Sequence, residues 1–385
     1  MKPTNDRARR SLPAILVFAL ALLASSAALW TRASTPAPAA DSAPRPAALS
    51  SVGPLALGPG GVLFAADPLG AAVVAFAVGE GPAAAANAPF ADVDDLDEKI
   101  AALLGTSARE ITIEDLVVQP ASKQAFLSLT RGRGEGARPV IVRITPDGKI
   151  HELAVETLPS TRLMLANAPA PDAKLWRFQS RSLTITDLEL VDGELWIAGL
   201  SNEEFASVLR RAPYPFQGTA ATTGLEIFHG AHGKWETAAP IFTFMPFDTP
   251  GGKQLLASYL CTPLVAFSRD ELRASPRLKG KTLAELGWGN IPIDMVTFER
   301  EGERYVLMAN DARGTMKLKV KDIEAALARP GLTERADAQA GVPYRNSPLG
   351  GVVQLADLDA ENVLLLTRDL KNGSLSLAPR PKEWI

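Results

Sequence analysis

GVLFAADPLGAAVVAFAV, from Gly61 to Val78, is the stretch that decides the fold. It consists of an apolar run, a short turn at Asp-Pro-Leu-Gly and a second apolar run, which is the pattern of two antiparallel strands. The residues before it, from Gly53, add a third short strand that ends in a Pro-Gly-Gly hairpin turn. This part of the chain therefore predicts a small antiparallel sheet with two apolar faces to cover.

The same layout recurs along the chain. Strands equivalent to the one at Leu63 begin 51 to 70 residues apart, near Ala125, Leu195, Leu255, Val306 and Val363. Units of this kind at this interval are typical of propeller blades, which bury their faces against one another in a ring. The sequence predicts an all-β, six-bladed β-propeller with short helical insertions over residues 52–385. The alternative, a pair of β-sandwiches, needs a linker near residue 180, and the sequence there does not resemble one.

The stretch GPLALGPGGVLFAADPLGAAVVAFAV, Gly53 to Val78, resembles a blade of the NHL-repeat and gluconolactonase-like propellers. In those proteins a Gly-Pro-x-Gly turn precedes a strand that ends in Ala-Asp. One blade matches well and the others match in outline, so the resemblance implies architecture rather than activity. Gluconolactonase-like propellers typically hold a metal with acids and an asparagine around the axis. The residues that would imitate this set, without a family motif to support them individually, are Asp67, Asp115, Asp187, Asp294 and Asn310.

Short helices are predicted between the strands, at Asp92–Gly105, after the capping boxes at Ser201–Glu204 and Ser268–Glu271, and at Lys321–Gly331. The acidic run at the start of the first helix does not have the spacing of a calcium-binding EF-hand loop. Acids in the first turn of a helix are explained by the helix dipole.

The N-terminal residues predict export. Residues 1–10 are basic and residues 11–30 carry no charge, which is typical of a secretory signal. An uncleaved membrane anchor over residues 12–30 is the alternative. Residues 31–51 are rich in Ala, Pro and Ser and are expected to form a disordered linker. The protein is therefore predicted to be periplasmic or extracellular, with membrane contact only through that anchor.

Composition limits the partners. The net charge is −3, from 40 basic and 43 acidic residues, and no basic stripe predicts nucleic-acid binding. A small molecule or an envelope protein is the expected partner. The chain has one cysteine and hence no internal disulfide. Hydrolase-elbow, covalent-haem and phosphate-loop motifs are all missing, so enzymatic activity is left open and no cofactor is assigned.

Candidate ligand-binding residues are those expected at the channel face of the ring. A guanidinium on a short loop there suits a carboxylate or phosphate, whereas an acid before a strand often only caps a turn. The single cysteine is either a small buried apolar group or a group used as a ligand or nucleophile. The predicted set is Asn310, Arg313, Asp294, Asn290, Cys261 and Thr262.

The histidines do not predict a metal site. His229 and His232 are close in sequence, but a metal usually needs three or four ligands, and no Asp, Glu or Cys stands at a helpful spacing. A hairpin turn with exposed histidines is the favoured interpretation, and His151 is expected to be exposed as well. No metal is predicted.

The favoured function is binding of a small ligand or protein partner on the channel face of an exported propeller. One alternative is a channel-face enzyme of the lactonase or sugar-hydrolase kind, or one that holds a cofactor such as a quinone or a metal in the channel. Another is a structural interaction module of an envelope complex, since the fold alone decides none of these.

Overall fold

The computed structural model describes residues 48–85, 88–261, 263–336 and 338–385. These residues form six sheets, antiparallel except for one parallel edge strand, whose first strands pack side by side in a closed ring, which confirms the six-bladed β-propeller. The predicted signal or anchor over residues 1–30, and the predicted linker as far as residue 47, lie outside the described residues. The helices that the structure describes are all too short or too polar to cross a bilayer.

Three blades come from the first part of the chain. Blade 1 consists of Leu55–Gly58, Val62–Asp67, Ala72–Ala77 and Ser160–Met164. Blade 2 consists of Ile111–Val118, Ala125–Arg131, Arg138–Ile144 and Ile150–Glu152. Blade 3 consists of Asp187–Val191, Glu194–Leu200, Ser207–Pro213 and Ala221–His229, extended at its edge by Lys234–Glu236 and Arg277–Lys279. A two-stranded ribbon, Lys174–Leu175 and Phe178–Gln179, precedes blade 3.

The other three blades follow in order. Blade 4 consists of Ile241–Thr249, Gly252–Tyr259, Pro263–Ser268, Lys281–Glu285 and Ala340–Gly341. Blade 5 consists of Pro292–Arg300, Glu303–Asn310, Met316–Lys319 and Tyr344–Asn346. Blade 6 consists of Val352–Asp357, Asn362–Arg368 and Leu375–Pro381. The six predicted second strands therefore lie one in each blade.

The helices decorate the blades. They span Leu96–Leu104, Arg269–Ala274 and Val320–Leu327, with 3₁₀ turns at Ala108–Glu110, Gly134–Gly136, Val155–Thr157, Ser180–Leu183 and Lys382–Trp384. Ser268 caps the second helix, since its hydroxyl accepts a hydrogen bond from the Glu271 N–H. The helix predicted after Ser201 is wrong. There the Ser201 hydroxyl accepts from the N–H of Glu203 within a turn, and no helix begins.

The blades do not follow one another around the ring in chain order. Contacts between first strands give the order 1, 3, 4, 5, 6, 2. The chain builds three strands of blade 1, forms blade 2 and returns with Ser160–Met164 to complete blade 1. The segment between blades 1 and 2 also covers the open edge of blade 6, where Val93 and Leu377 exchange two backbone hydrogen bonds. The ring is thus closed by contacts between distant parts of the chain.

The core lies between the blades. Because each sheet is covered on both faces, its middle strands are continuous apolar runs rather than alternating ones. In blade 5, for example, Val306 to Ala309 are four successive residues that are fully buried. Small residues such as Ala65 and Ala257 occupy buried positions in the same strands and allow the sheets to pack closely. This packing fixes the first strands that line the channel.

Candidate functional site

Three carboxylates line the central channel at equivalent positions. Asp115, Asp187 and Asp294 each lie in the first strand of a blade, one residue before the buried Leu116, Leu188 or Met295. Their blades, 2, 3 and 5, alternate around the ring. The channel that they border has a volume of about 780 Å³. All three carboxylates lie near the starts of their blades, where the sequence predicts them, and the fold brings them to one channel.

Two of these carboxylates tie neighbouring blades together. Asp115 accepts a hydrogen bond of 2.7 Å from the Leu55 N–H of blade 1, and Asp187 accepts one of 2.7 Å from the Phe244 N–H of blade 4. In each case the second carboxylate oxygen accepts from the N–H of the next residue in its own strand, at 2.8 Å. Buried backbone donors need such partners, so these acids have a structural role.

The channel acids raise one another's proton affinity. Desolvation raises the pKa of Asp115 to about 6 and that of Asp187 and Asp294 well above the ordinary range, and the charge of Asp115 adds to the rise for the other two. Desolvation, followed by the charge of Asp115, raises the pKa of the nearby Glu189 to about 7. Ionising several of these carboxyl groups at once therefore costs free energy in the folded protein.

The other two members of the suggested metal set lie elsewhere. Asp67 is fully buried, and its carboxylate accepts hydrogen bonds from the N–H groups of Ser50, Ser51 and Gly70. Asn310 lies at the end of the second strand of blade 5 and takes part in a different network. The axial arrangement implied by the family resemblance is thus present only as three aspartates.

Asn290, Asn310 and Arg313 meet in a network that holds one loop onto another. The Asn290 amide donates to Asn310 Oδ1 at 2.7 Å, and its own oxygen accepts from the Ala312 and Arg313 N–H groups. The Asn310 amide donates to the carbonyls of Met308 and Gly314. Both asparagines are almost fully buried, at 2% and 3% exposure. Their polar groups are used within the protein.

Arg313 holds the loop that crosses the cysteine. Its guanidinium donates to the Trp288 carbonyl at 2.9 Å and lies against Gly287, where a Cβ would be 2.7 Å from Cζ. The loop then reaches Cys261: the Gly289 N–H donates to the sulfur at 3.5 Å, and the Cys261 N–H donates to the Asn290 carbonyl. Three of the predicted residues, Asn290, Asn310 and Arg313, therefore support a fourth, Cys261.

Cys261 stands at the turn between the second and third strands of blade 4, with a left-handed φ of 70°. Such a backbone conformation is unusual for a residue with a side chain and often occurs at functional turns. The thiol is partly exposed and makes no disulfide. Of the predicted pair at this turn, Thr262 lies outside the described residues. Asp294 is separate from this turn, in the channel.

The structure brings Cys261 to the two histidines. A nitrogen of His229, a nitrogen of His232 and the Cys261 sulfur all lie within 4.8 Å of one another. His229 ends the fourth strand of blade 3, and His232 lies on the hairpin turn that follows. The two imidazole centroids are 3.9 Å apart. Two imidazoles and a thiolate are a ligand set for a transition metal.

Glu236 orients both rings. The Nδ1 atoms of His229 and His232 each lie 2.8 Å from one oxygen of this carboxylate. Although burial raises it, the bonds from the two histidines lower the pKa of Glu236 to about 2, so the carboxylate accepts and each Nδ1–H donates. Each ring therefore engages Glu236 through Nδ1 and has Nε2 on its other side. A carboxylate that fixes the tautomer in this way is a feature of metal-binding histidines.

The buried Nε2 of His229 has no hydrogen-bonding nitrogen or oxygen partner among the described residues. The thiol of Cys261 faces this ring, and the bond to His229 lowers the pKa of the thiol. Burial lowers the pKa of His229, but the bonds to Cys261 and Glu236 outweigh it and raise that pKa to about 9. The imidazole of His229 and the thiol of Cys261 are therefore adjacent, and both are groups that bind transition metals.

The hairpin turn is fixed against blade 4. The Gly230 N–H donates to Glu285 Oε1 at 2.8 Å, and a Cβ at Gly230 would lie 2.6 Å from Glu285 Cγ. Glycine is therefore required there by close approach. The second oxygen of Glu285 is buried without a hydrogen-bond partner among the described residues, and its charge faces His229. Glu285 therefore has an unused carboxylate oxygen close to His229.

The expectation of exposed turn histidines is wrong for His229, which is fully buried. The expected hairpin is present, but the strand pairing of Ile227 with Glu236 places that acid diagonally across from His229 on the same face. The acid four residues after His232 was the signal in the sequence. Cys261 belongs to the next blade, blade 4, and the packing of the two blades in the ring brings its thiol to the histidines.

Comparisons with known proteins add little beyond the fold. No protein-family model and no curated protein sequence matches the chain. Similar solved structures include an exo-1,5-α-L-arabinanase from a bovine ruminal metagenomic library, at 13% identity and a TM-score of 0.35 over 70% of this chain and 94% of that chain. A PQQ-bound aldose sugar dehydrogenase from Streptomyces coelicolor is 12% identical, with a TM-score of 0.30 over 90% of this chain and 100% of that chain.

A third similar structure is the extracellular domain of a protein described as a one component system from B. thetaiotaomicron. It is 10% identical, with a TM-score of 0.34 over 85% of this chain. The present chain spans about a third of that chain, at 32% of its length. At these identities and scores the assignment to the propeller fold rests on the strand pairing described above.

Proposed function

We propose that this propeller binds one thiophilic transition-metal ion, zinc or copper, through Nε2 of His229, Nε2 of His232 and Sγ of Cys261. The observation that supports this most directly is the meeting of the three ligand atoms within 4.8 Å. Glu236 engages Nδ1 of both histidines, which leaves their Nε2 atoms to bind the ion, and the Gly289 N–H donates to the sulfur. Thiolate and imidazole ligands favour zinc and copper over magnesium or calcium.

Three protein ligands leave a coordination position for water or a substrate. Metal centres that act as catalysts keep such a position open, whereas purely structural zinc sites usually have four protein ligands. When bound there, the metal would supply Lewis-acid chemistry. The residues of the chain hold the ion, fix the ring tautomers and exclude water from the His229 side. This supports a metal-dependent binding or catalytic centre at the side of the ring where the first strands begin.

The test is metal retention by protein without a histidine tag. After incubation with zinc or copper and desalting, we expect one ion per chain by elemental analysis. Cys261→Ser and His232→Ala should each lose it. His151→Ala is the matched control, because it removes the third histidine of the chain at an exposed strand position. Equal metal content in all of these variants would contradict the proposal.

A second candidate function uses the same residues without metal. Cys261, His229 and Glu236 follow one another as thiol, imidazole and carboxylate, the order of an activated nucleophile. His232 has no part in such a triad. His232→Ala therefore separates the two functions: a metal centre loses its ion, whereas a nucleophile keeps rapid alkylation of Cys261 by iodoacetamide. Loss of that alkylation in His229→Ala is expected only for the nucleophile.

Export through residues 1–30, a small-molecule or envelope-protein partner and ligand binding on the channel face remain proposals from the sequence. The proposed metal site is compatible with each of them; its ligands come from the hairpin turn of blade 3 and the second-to-third-strand turn of blade 4. Channel-face binding rests on Asn290, Asn310, Arg313 and Asp294, and the hydrogen bonds of the first three favour a supporting role.

A further inference from the structure

Glu285 is a buried carboxylate at the edge of the three ligands. It ends the fourth strand of blade 4, Lys281–Glu285, where it pairs with Pro263, two residues after Cys261. The residue is 1% exposed and makes no salt bridge with any residue that the structure describes. Burying a carboxylate is costly unless other groups compensate its charge. Its surroundings therefore indicate what it does.

One oxygen of Glu285 is fixed and the other is unused. Oε1 accepts a hydrogen bond of 2.8 Å from the Gly230 N–H, on the hairpin turn between His229 and His232. The turn lies directly on the side chain, since a Cβ at Gly230 would be 3.3 Å from Oε1. Oε2 is buried and has no hydrogen-bond partner in the described part of the chain. A buried acceptor without a donor costs free energy, so a donor is expected beside it when the site is occupied.

The carboxylate faces the ligands from the interior of the protein. Its charge interacts with both His229 and Cys261. Solvent reaches the cluster from the other side, where the His232 side chain is about a third exposed. Glu285 is not among the residues whose ligand atoms all lie within 4.8 Å of one another. An oxygen outside this group suits a hydrogen bond to a molecule on the ion better than a bond to the ion itself.

The charges around the ion favour a neutral molecule there. A divalent ion bound by the Cys261 thiolate and two neutral imidazoles keeps one positive charge, which the Glu285 carboxylate balances. The carboxylate of Glu236 has the Lys234 ammonium 3.3 Å from it, and Arg335 already has a partner of its own. An added anion would therefore lie beside Glu285 without an uncompensated cation to offset the repulsion.

We propose that the open position of the metal takes a neutral ligand with hydrogen on its donor atom, and that Oε2 of Glu285 accepts the hydrogen bond from it. This rests on the metal site proposed above. A divalent ion favours the ionised, accepting form of the carboxylate, and it polarises the O–H or N–H of the molecule that it binds. Water, the hydroxyl of an alcohol or sugar and a primary amine share this chemistry.

Cobalt(II)-loaded protein provides the experiment, because Cys261 is the single cysteine and any sulfur-to-cobalt charge-transfer band reports this site alone. Hydrazine, pyridine and azide are titrated while the cobalt bands are followed. Hydrazine is neutral and carries hydrogen on its donor nitrogen. Pyridine is neutral and carries none, and azide is an anion without hydrogen. Changes at Glu285 should therefore act differently on the three probes.

Glu285→Gln keeps the shape of the side chain and one oxygen for the Gly230 N–H, but it turns an amide N–H₂ toward the ion. Hydrazine should bind about tenfold more weakly, or about 1.4 kcal/mol, near the lower end for hydrogen bonds to charged groups. Azide should bind more tightly, because a donor replaces a negative charge. Pyridine should keep its affinity, since it makes no hydrogen bond to Glu285.

Two further variants complete the test. Glu285→Asp keeps the charge but withdraws the oxygens by about 1.5 Å, the length of one C–C bond, so hydrazine should weaken while azide is unchanged. This variant decides the question alone if Glu285→Gln does not fold. Glu226→Gln removes an acid of blade 3 that pairs with Lys279, and as the control it should leave all three affinities unchanged.

The outcomes separate the two proposals. Without a sulfur-to-cobalt band in the unaltered protein, the metal site itself is wrong and this inference falls with it. With the band present, the inference alone is overturned if hydrazine does not bind, or if the Glu285 variants change hydrazine and pyridine equally. A loss of cobalt affinity of more than about 100-fold in Glu285→Gln would make Glu285 a ligand of the ion and would overturn it as well.

Discussion

The channel acids and the His229–His232–Cys261 cluster differ in how they relate to the repeat. Asp115, Asp187 and Asp294 occupy one position of the blade three times over, and two of them are seen tying neighbouring blades. The cluster occurs once, where a hairpin turn of blade 3 meets the second-to-third-strand turn of blade 4. The repeated aspartates help to build the ring, whereas the metal site that we propose lies at a feature that occurs in only one place.

The largest effect is expected for Cys261→Ser, which tests whether the cluster, unlike the channel acids, binds metal. Because a serine hydroxyl is a poor ligand for zinc or copper, metal affinity should fall more than about 100-fold, beyond the usual effect of an outer-shell change. Competition with a chromophoric chelator measures it. Asp294→Asn, a channel change of similar size, is the control and should leave the affinity unchanged. If both variants lose metal alike, the cluster is not the separate site described here.

A channel substitution should act on stability instead. Asp187→Ala removes the acceptor for the N–H groups of Phe244 and Leu188, and leaving such donors unpaired costs about 2 kcal/mol. Urea unfolding measures this loss. Asp187→Asn retains one acceptor oxygen and is expected to lose less. Full metal binding in the folded variant would show that the channel acids act on stability and not on the metal site. An unchanged free energy of unfolding would show that the Asp187 carboxylate does not stabilise the contact between blades 3 and 4.

Within the cluster, the carboxylate that orients the rings should matter less than a ligand. Glu236→Gln keeps the shape but can accept only one of the two Nδ1–H bonds, so metal affinity should fall about tenfold, as for other partners of ligating histidines. Glu226→Gln changes a surface ion pair of the same blade and is the control. A loss as large as that of Cys261→Ser would mean that Glu236 itself binds the ion.

The sequence predicts those parts of the molecule that repeat. Apolar runs and turn residues locate the second strand of each blade, and an Asp before a buried residue marks the channel positions. The first strand of blade 4, Ile241–Thr249, does not follow the pattern because Pro246 interrupts its apolar run. The return of Ser160–Met164 to blade 1 has no local signal, since pairing between distant segments is decided by packing.

The candidate site was predictable only in part. The sequence predicts Cys261 at a turn, where the structure has it, but its neighbours depend on which blade lies beside it. Asn290, Asn310 and Arg313 are predicted as ligand-binding residues, and the structure uses their polar groups to hold the loop over the thiol. Sequence spacing does not show which polar groups already have partners, because those partners come from other loops.

The smallest expected effect concerns pH and the charge of the channel. The folded-state pKa values of Asp115, about 6, and Glu189, about 7, are raised, so between about pH 4 and 7 the folded protein holds protons that the unfolded chain releases. The free energy of unfolding must therefore fall as pH rises through this window. Glu189→Gln removes one of these costs, and it should raise stability at pH 8 by about 1 kcal/mol relative to pH 4. Thermal or urea unfolding at the two pH values measures the difference, with Glu299→Gln, an exposed acid of blade 5, as the control. A gain at pH 4 equal to that at pH 8 would show that the effect comes from packing. Negative charge in the channel would then not be costly, and this contrast with the His229–His232–Cys261 cluster would be lost.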